Sequence, residues 1–353
     1  MSQTPITALV LADYGLAADT PIRRFGNGHI NYTYMLDATP PVIVQRINTH
    51  VFPDAAGMVN NALAIEHHLK AKKAQGLYSL EILEQQPTID HRYLTGADND
   101  LRALKFIPGG RSIEVVETSE QAYAAAFTFG QFAAALADFD AKQLVTVIPD
   151  FHNLRMRYGQ LTDAIALNKA GRLQQVLPLV DWVLTEQHLV DELEACCASL
   201  PIRVCHNDTK INNMLYSDAL QRGIAAIDLD TCMAGYWLFD FGDMVRTCCS
   251  PEAEDTLEHD KVKVRPDVFA ALARGYLDGL DRQITAAERQ SLWIGAKAMC
   301  LMIGIRFLTD HLNGDVYFHV HRTDHNLQRA TNQFRLYQDL LAQESTLLAF
   351  LAS

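Results

Sequence analysis

Three residues of this chain, Asp208, Asn213 and Asp228, have types and spacing that could do chemistry together. They lie in His206-Asn207-Asp208-Thr209-Lys210-Ile211-Asn212-Asn213 and in Ile227-Asp228-Leu229-Asp230. A carboxylate precedes a carboxamide by five residues, and a second carboxylate returns fifteen residues later. Phosphoryl transfer from ATP needs such parts: one carboxylate to orient a hydroxyl and take its proton, and hard oxygen ligands to hold Mg2+ on the phosphates. A lone HxD also serves as a cap or a turn. The whole constellation, with an apolar strand between its halves, predicts a kinase site.

The surrounding residues place these groups at strand ends. Leu200 to Cys205 and Gly223 to Ile227 are short apolar or β-branched runs, so both polar clusters are expected where buried strands pass into loops. Asp228 ends the strand that follows the Asn213 loop, the position of a metal aspartate. Asp230, on the same side, is either a second ligand or a support for the first. Asp240-Phe241-Gly242 spells a familiar metal-binding tripeptide but lies in a further loop. Asp240 is therefore expected to accept hydrogen bonds from loop N–H groups. His206, two residues before Asp208, is expected to brace the loop backbone.

Upstream, residues 20 to 47 alternate around Gly26-Asn27-Gly28, which predicts a β-hairpin whose glycines let N–H groups approach a phosphate. Asn31 closes that turn. Val42 to Ile47 predicts a third strand, in which either Gln45 or Arg46 stands where a phosphate-side cation is usual. Helical spacing follows from Ala55 to Ala74, carrying Asn61 or Glu66 as support for that cation. Strands are expected at Leu80 to Leu83 and Leu101 to Ile107. Pro108-Gly109-Gly110 ends the sheet and divides a nucleotide lobe, 1–107, from a helical catalytic and substrate lobe, 108–353. In the second lobe, Thr118 with Gln121 and Thr285 with Glu288 signal helix starts. Helical patterns also cover Leu154 to Gly171, Val176 to Ala198, Pro266 to Leu280 and Asp324 to Phe350. The fold class is α+β, a protein-kinase-like layout with a β-rich first lobe and a mostly helical second.

Composition narrows the partners. The net charge of −12 over 353 residues argues against a general nucleic-acid surface. It also means that a phosphate site must be neutralised locally, by Mg2+, N–H groups and placed cations. Asp13 and Asp19 interrupt the early apolar residues, so no signal peptide is read and a cytoplasmic location is expected. The longest uncharged stretch, Gln121 to Ala137, reads as a core helix and not a membrane span. Seven cysteines without a CxxC suggest buried free thiols, with neither zinc nor a disulfide framework. The crowded His311, His319, His321 and His325 fit no common zinc spacing.

His206-x-Asp208-x4-Asn213 with Ile227-Asp228-x-Asp230 and Asp240 resembles the aminoglycoside phosphotransferase and choline kinase superfamily. The chain looks most like its N-acetylhexosamine 1-kinase group, through Gly26-Asn27-Gly28-His29-Ile30-Asn31, Val44-Gln45-Arg46-Ile47-Asn48, His206-Asn207-Asp208-Thr209-Lys210 and Ile227-Asp228-Leu229-Asp230-Thr231. Arg306-Phe307-Leu308-Thr309-Asp310 and Gly314-Asp315-Val316-Tyr317-Phe318 complete the match. The resemblance implies ATP and Mg2+ as cofactors, Asp208 as catalytic base, and Asn213 and Asp228 as metal ligands. It implies adenine seated on a hinge of Leu104, Lys105, Phe106 and Ile107. It further implies that Arg306, Asp310 and Tyr317 approach the sugar, Arg306 alternatively pairing with Asp310. Gln45 departs from the strand lysine of the broader superfamily. The expected reaction is phosphorylation of the anomeric hydroxyl of N-acetylglucosamine or N-acetylgalactosamine. Rival expectations are a kinase of the same superfamily acting on an aminoglycoside, choline or another sugar, and a nucleotide-binding pseudokinase or scaffold.

Overall fold

The computed structural model describes residues 6–26 and 30–352. A short helix α1 (Ala8–Asp13), not signalled by the sequence pattern, precedes β1 (Ile22–Arg24), β2 (Tyr32–Leu36) and β3 (Val42–Arg46). Helix α2 (Ala55–Ala74) follows, then β4 (Gln85–Gln86) and β5 (Leu101–Lys105). The strands form one antiparallel sheet in the order β1-β2-β3-β5-β4. Its two faces follow from the period-2 alternation of side chains. Leu36, Val44, Leu101 and Ala103 turn to the face covered by Val10 and Leu11 of α1. Met35, Ile43 and Leu104 turn to the other, where Phe25, Leu83 and Phe106 pack.

After Pro108-Gly109, β6 (Arg111–Ser112) belongs to a different sheet. The remaining elements are α3 (Ser119–Ala135), α4 (Leu154–Leu167), α5 (Leu173–Thr185), α6 (His188–Cys197), β7 (Arg203–Cys205), β8 (Met214–Ser217), β9 (Arg222–Ala226) and β10 (Met233–Gly235). They are followed by α7 (Trp237–Cys248), α8 (Pro266–Leu280), α9 (Ala286–Asn313), α10 (His325–Ala342) and α11 (Glu344–Ala352). A three-stranded sheet β6-β8-β9 and a two-stranded pair β10-β7 sit among these helices. The architecture is α+β, with the strands that carry the polar loops held in a helical core.

Local chemistry accounts for the main helix starts. Thr285 and Glu288 form a reciprocal capping box at the head of α9. Thr118 caps α3 through Gln121 N, whereas the Gln121 side chain accepts from Glu117 N and not from the cap residue. Helix α9 is long and apolar enough to cross a membrane by length and composition, yet 83% of its most apolar window is buried inside the protein. It packs against α4, α7 and α10. The seven cysteines are free thiols, and Cys205, Cys232, Cys248, Cys249 and Cys300 are buried.

Three element expectations change. Leu80 to Leu83 is not a strand: Leu80 and Ile82 bury into the helical core, Glu81 N donates to Ile224 O at 2.7 Å, and pairing begins only at Gln85. The pattern from 176 to 198 breaks after Thr185 into α5 and α6, so that Leu189, Val190 and Leu193 reach the core already met by Val176, Val180 and Val183. The last helical stretch breaks at Gln343, whose side chain donates to Val264 O and to Asp339 Oδ2. Leu347 and Leu351 of α11 thereby reach the core.

Backbone contact between α7 and α9 sets how closely the catalytic loops are backed. A Cβ on Gly295 would lie 2.1 Å from Leu238 O, and one on Gly242 would lie 2.3 Å from Gly295 O. Neither carbonyl can retreat without moving its helix. Gly295→Ala is therefore expected to lower stability by about 1–3 kcal/mol through overpacking. Gly159→Ala, at an exposed position of α4 with nothing within 4 Å of the added carbon, is expected to raise it by about 0.4–1 kcal/mol. Urea unfolding of the two variants checks both the sizes and the opposite signs.

Candidate active site

Strand β7 delivers the chain to the 206–213 loop, which is tied down by its own backbone and by α7. Asp240 Oδ2 accepts from His206 N at 3.0 Å, and Oδ1 accepts from Asn207 N at 2.7 Å. Burial pushes the Asp240 carboxyl up to about 6, against the His206 charge and those N–H groups. Asp240 thus accepts the loop N–H groups expected of it, but from the first turn of α7 and not from a loop. The His206 ring sits against Phe129 and Phe132, with Nε2 at 2.9 Å from Ile227 O, so Nε2 is the protonated nitrogen. Thr231 Oγ1 donates to His206 O, and Ile227 N donates to Asn213 O. The two polar segments are therefore stitched into one unit.

Within that unit, one oxygen of Asp208 is held and the other is open. Oδ2 accepts from Asn213 Nδ2 at 2.8 Å and lies 2.9 Å from Lys210 Nζ. Oδ1 accepts no hydrogen bond among the described residues. Burial raises the Asp208 carboxyl, but Lys210, His206 and Asn213 outweigh it and hold the group below its ordinary value. Asp208 is an oriented carboxylate with a free acceptor lobe.

Asp228 completes the cluster from a left-handed backbone conformation, φ 62° and ψ 59°. A non-glycine residue held there indicates a position that the surroundings enforce. Burial, then the charges of Asp230 and Asp208, push its carboxyl up to about 7 against Lys210 and Arg102. Repulsion among buried carboxylates fits a site built for a cation. Asn213, whose Nδ2 is spent on Asp208, keeps its amide oxygen for a ligand. Among the described residues no three His, Cys, Asp or Glu side chains converge to hold a metal by themselves.

Asp230 is differently employed. Its Oδ1 meets Arg102 Nη2 at 2.5 Å, and Oδ2 accepts from Asn31 Nδ2 at 2.6 Å. Both partners of the Arg102–Asp230 pair have side chains only 2% exposed. Asp230 therefore anchors the first sheet to the second catalytic loop, and of the two expectations for it the support is the one its contacts match. Asn31 also accepts from Asn48 N at 2.9 Å.

The expected strand cation is neither Gln45 nor Arg46. Gln45 faces Arg102 across β3 and β5, and its Oε1 accepts from Arg102 Nε and Nη2 at 3.0 and 2.7 Å. Arg46, pointing to the other face, pairs with Asp100 at 2.7 Å. Arg102 takes the inward place because its longer side chain can cross to Asp230 while Gln45 steadies it. Neither helix candidate supports a strand cation. Glu66 accepts from Lys70 Nζ and Gln85 N, and Asn61 bonds Val145 and the Cys232 carbonyl.

The glycine turn residues Asn27, Gly28 and His29 lie outside the described residues. Gly26 has φ 72°, which suits glycine. Beneath it, Phe25 and Phe106 meet edge to face at 6.2 Å above Met35, Ile43 and Leu104. Leu104 and Lys105 are still strand, with Lys105 N donating to Glu84 O and Lys105 Nζ bonding the Glu84 carboxylate. Phe106 and Ile107 leave the ladder.

The three expected acceptor residues line one cavity, but the Asp310 carboxylate is taken up by the protein. Arg306, on α9, makes no ion pair among the described residues. Its guanidinium lies over the rings of Phe151, Tyr317 and Phe318 at 5.6, 5.7 and 5.3 Å. Asp310 does not pair with it. Asp310 Oδ1 accepts from Val316 N and Tyr317 N, and Oδ2 from Phe318 N and Asn326 Nδ2. It shapes the loop that presents Tyr317 and has no lobe aimed at a ligand. Arg306, Tyr317 and Arg157 line a cavity of about 580 Å³ between α4, α9 and the 316–318 loop. His152, stacked on Phe151 at 4.6 Å and near Phe239 at 4.8 Å, feels the charges both of the cavity arginines and of Asp208. Burial, then the charges of Arg306, Arg157 and Arg246, push its imidazole down to about 3 against Asp208, so it is neutral at pH 7.

Sequence reading missed Arg102, Lys210, His152 and Arg157. Arg102 had a signal, a lone cation in an apolar strand whose neighbours bury. Lys210 lay within the quoted motif, two residues past Asp208. His152 and Arg157 had none, since stacking and cavity lining are tertiary.

A sequence profile described as the phosphotransferase enzyme family matches residues 21–284. Among solved structures, the chain is similar to an aminoglycoside phosphotransferase from Alicyclobacillus acidocaldarius, 15% identical, covering 99% of this chain and 96% of that one, with a TM-score of 0.56. It is similar to a choline kinase from Cryptosporidium parvum, 14% identical, covering 94% and 93%, with a TM-score of 0.54. It is also similar to the amicoumacin kinase hAmiN in complex with AMP-PNP and Ca2+, 12% identical, covering 90% and 88%, with a TM-score of 0.55. The kinase-like two-lobe fold expected from the motifs is the fold these proteins share.

Removing one partner of the buried Arg102–Asp230 pair leaves an uncompensated charge, which typically costs about 3–5 kcal/mol. Arg102→Met is expected to lose about that much stability. Arg46→Met, removing the half-exposed pair with Asp100, is expected to lose about 1 kcal/mol or less. Guanidinium unfolding midpoints of the two variants provide the comparison.

Proposed function

The chain belongs to the phosphotransferase enzyme family and is a small-molecule phosphotransferase of the aminoglycoside phosphotransferase and choline kinase superfamily, and we propose that it transfers phosphate from Mg-ATP to the anomeric hydroxyl of an N-acetylhexosamine. The product is the sugar 1-phosphate. The carrying observation for the acceptor is Arg306 framed by Phe151, Tyr317 and Phe318 in the cavity it lines with Arg157. Hydroxyl and amide oxygens of a sugar need donors, and the C–H faces of its ring pack on aromatic rings. The resemblance to N-acetylhexosamine 1-kinases through the same block, residues 306 to 318, points the same way.

The phosphate side follows from the clamp around Asp208. ATP lies between the lobes, with adenine against Phe25, Leu104 and Phe106 and hydrogen-bonded to the backbone of the 104–107 segment. Asp228 and the Asn213 amide oxygen would hold magnesium on the phosphates. Bound there, Mg2+ neutralises charge on the phosphates. Similar use of a divalent ion is consistent with the AMP-PNP and Ca2+ bound to the amicoumacin kinase. The acceptor hydroxyl donates to Asp208 Oδ1, which takes its proton as the bond to phosphorus forms. Asn213 and Lys210 hold Oδ2, so the carboxylate does not rotate away. Positioning and charge neutralisation supply the rate.

Asp208→Asn is expected to lower kcat by roughly 10²- to 10⁴-fold with nucleotide affinity near that of wild type. Asp228→Ala is expected to weaken Mg-ATP binding itself. Calorimetric binding together with a coupled assay separates the two, and normal Mg-ATP binding by Asp228→Ala but not by Asp240→Ala would reverse their roles. A panel of hexoses, N-acetylhexosamines, choline and aminoglycosides is expected to show turnover of N-acetylhexosamines. Phosphorus NMR should place the phosphate on the anomeric oxygen. Transfer only to another hydroxyl rejects the 1-kinase reading.

A further inference from the structure

The acceptor cavity is lined by two guanidiniums, Arg157 and Arg306, neither paired with a carboxylate among the described residues. Arg265 and Arg289, both half-buried, donate to main-chain carbonyls, whereas other buried or half-buried arginines are matched by carboxylates: Arg102 by Asp230, Arg172 by Asp315, Arg203 by Glu288, and Arg246 by Asp243 and Glu254. Arg157 and Arg306 are not. Arg157 donates only to neutral groups, the Gln160 amide oxygen and the carbonyls of Asp150 and Phe151, and its Nε is buried without a partner. Arg306 has aromatic faces about it and no ion pair. The two guanidiniums also oppose each other. Burial first, then the Arg306 charge, pushes Arg157 down to about 10.

Asp150 is exposed and its charge is the smallest of the influences on Arg157, and the other charged groups around the cavity do not cancel this pair. Asp310 is consumed by four N–H donors. Asp163 and Lys169 sit exposed at the rim, where water screens them. His152 is neutral, and Asp208 and Asp243 are already compensated by Lys210 and Arg246. A protein of net charge −12 thus presents a locally positive acceptor cavity.

We infer that Arg157 and Arg306 act together as a charge filter that admits a neutral N-acetylamino or hydroxyl substituent on the acceptor and excludes an ammonium group. The inference rests on the acceptor reading given above. A guanidinium can donate to an amide or hydroxyl oxygen, whereas an ammonium has no lone pair to offer it and repels it. Arg157 is thereby a specificity-determining residue of a reaction whose chemistry belongs to Asp208. The filter selects the acylated form of an amino sugar over its free amine.

The test compares N-acetylglucosamine with glucosamine under Mg-ATP from about pH 6 to about pH 9, a range that spans ordinary amine titration. The ratio of kcat/KM values on one enzyme cancels the enzyme's own titrations. The expected wild-type ratio favours the N-acetyl sugar by roughly 10²-fold at the acidic end and shrinks as the amine loses its proton. Arg157→Gln should cut the acidic-end ratio by about tenfold, while Arg157→Lys, which keeps the charge, should retain it. A merely structural role for Arg157 would lower both acceptors together and leave the ratio unmoved. A wild-type ratio that is flat with pH, or one unchanged in Arg157→Gln, overturns the filter. If wild type turns over neither sugar, the acceptor reading itself fails. The same ratio is then measured between the alcohol accepted in the panel and its amine-bearing analogue, with the same two outcomes.

Discussion

The buried pair Arg102–Asp230 is the constraint on which the arrangement of the site depends. It joins β5 of the first sheet to the loop that carries Asp228, and it is reinforced by Gln45 on one side and Asn31 on the other. Two charges removed from water are tolerated only when their geometry satisfies both. Here the bridge spans the two lobes and, with the Asn61 bond to the Cys232 carbonyl and the packing of Met58 and Val59 with Met233, sets the position of the sheet over the carboxylates. The same contact explains why Gln45 replaces a cation in the third strand: the cation has moved one strand over, and the amide holds it.

A second balance operates among the acids. Asp208, Asp228, Asp230, Asp240 and Asp243 would repel one another if equally free. Each has a different compensation: Lys210 and Asn213, the space for a cation, Arg102 with Asn31, two backbone N–H groups, and Arg246. The partner decides the role. A carboxylate closed by N–H groups is a brace, one closed by a guanidinium is an anchor, and one with an open oxygen can take a proton. Asp228, the least compensated of these acids, is pushed up to about 7 by burial and then by the charges of Asp230 and Asp208.

Close backbone packing keeps these balances in place. Helix α7 bears Asp240 and Asp243, and it approaches α9 through Gly242 and Gly295 without intervening side chains. Helix α9 carries Arg306 and Asp310 on its way to the loop that presents Tyr317. Asp240 and Arg306 are therefore fixed to two helices in backbone contact, and small shifts in one are felt at the other.

Much of this was legible in the chain itself. Motif spacing determined that Asp208, Asn213 and Asp228 come together, because short strands leave a loop few alternatives, and it separated Asp240 from the metal position. Helix spacing and caps located α2, α8 and α9 because those signals are local. Tertiary structure alone decided the partners. That Arg102 and not Arg46 faces inward depends on the register of β3 against β5. Asp310 spends its oxygens on a loop because that loop folds back over the helix end. Arg157 and Arg306, separated by more than a hundred residues, share a cavity only because α4 packs on α9. Spacing encodes what neighbours along a strand or helix can do, whereas charge compensation depends on which side chains burial brings together from distant segments.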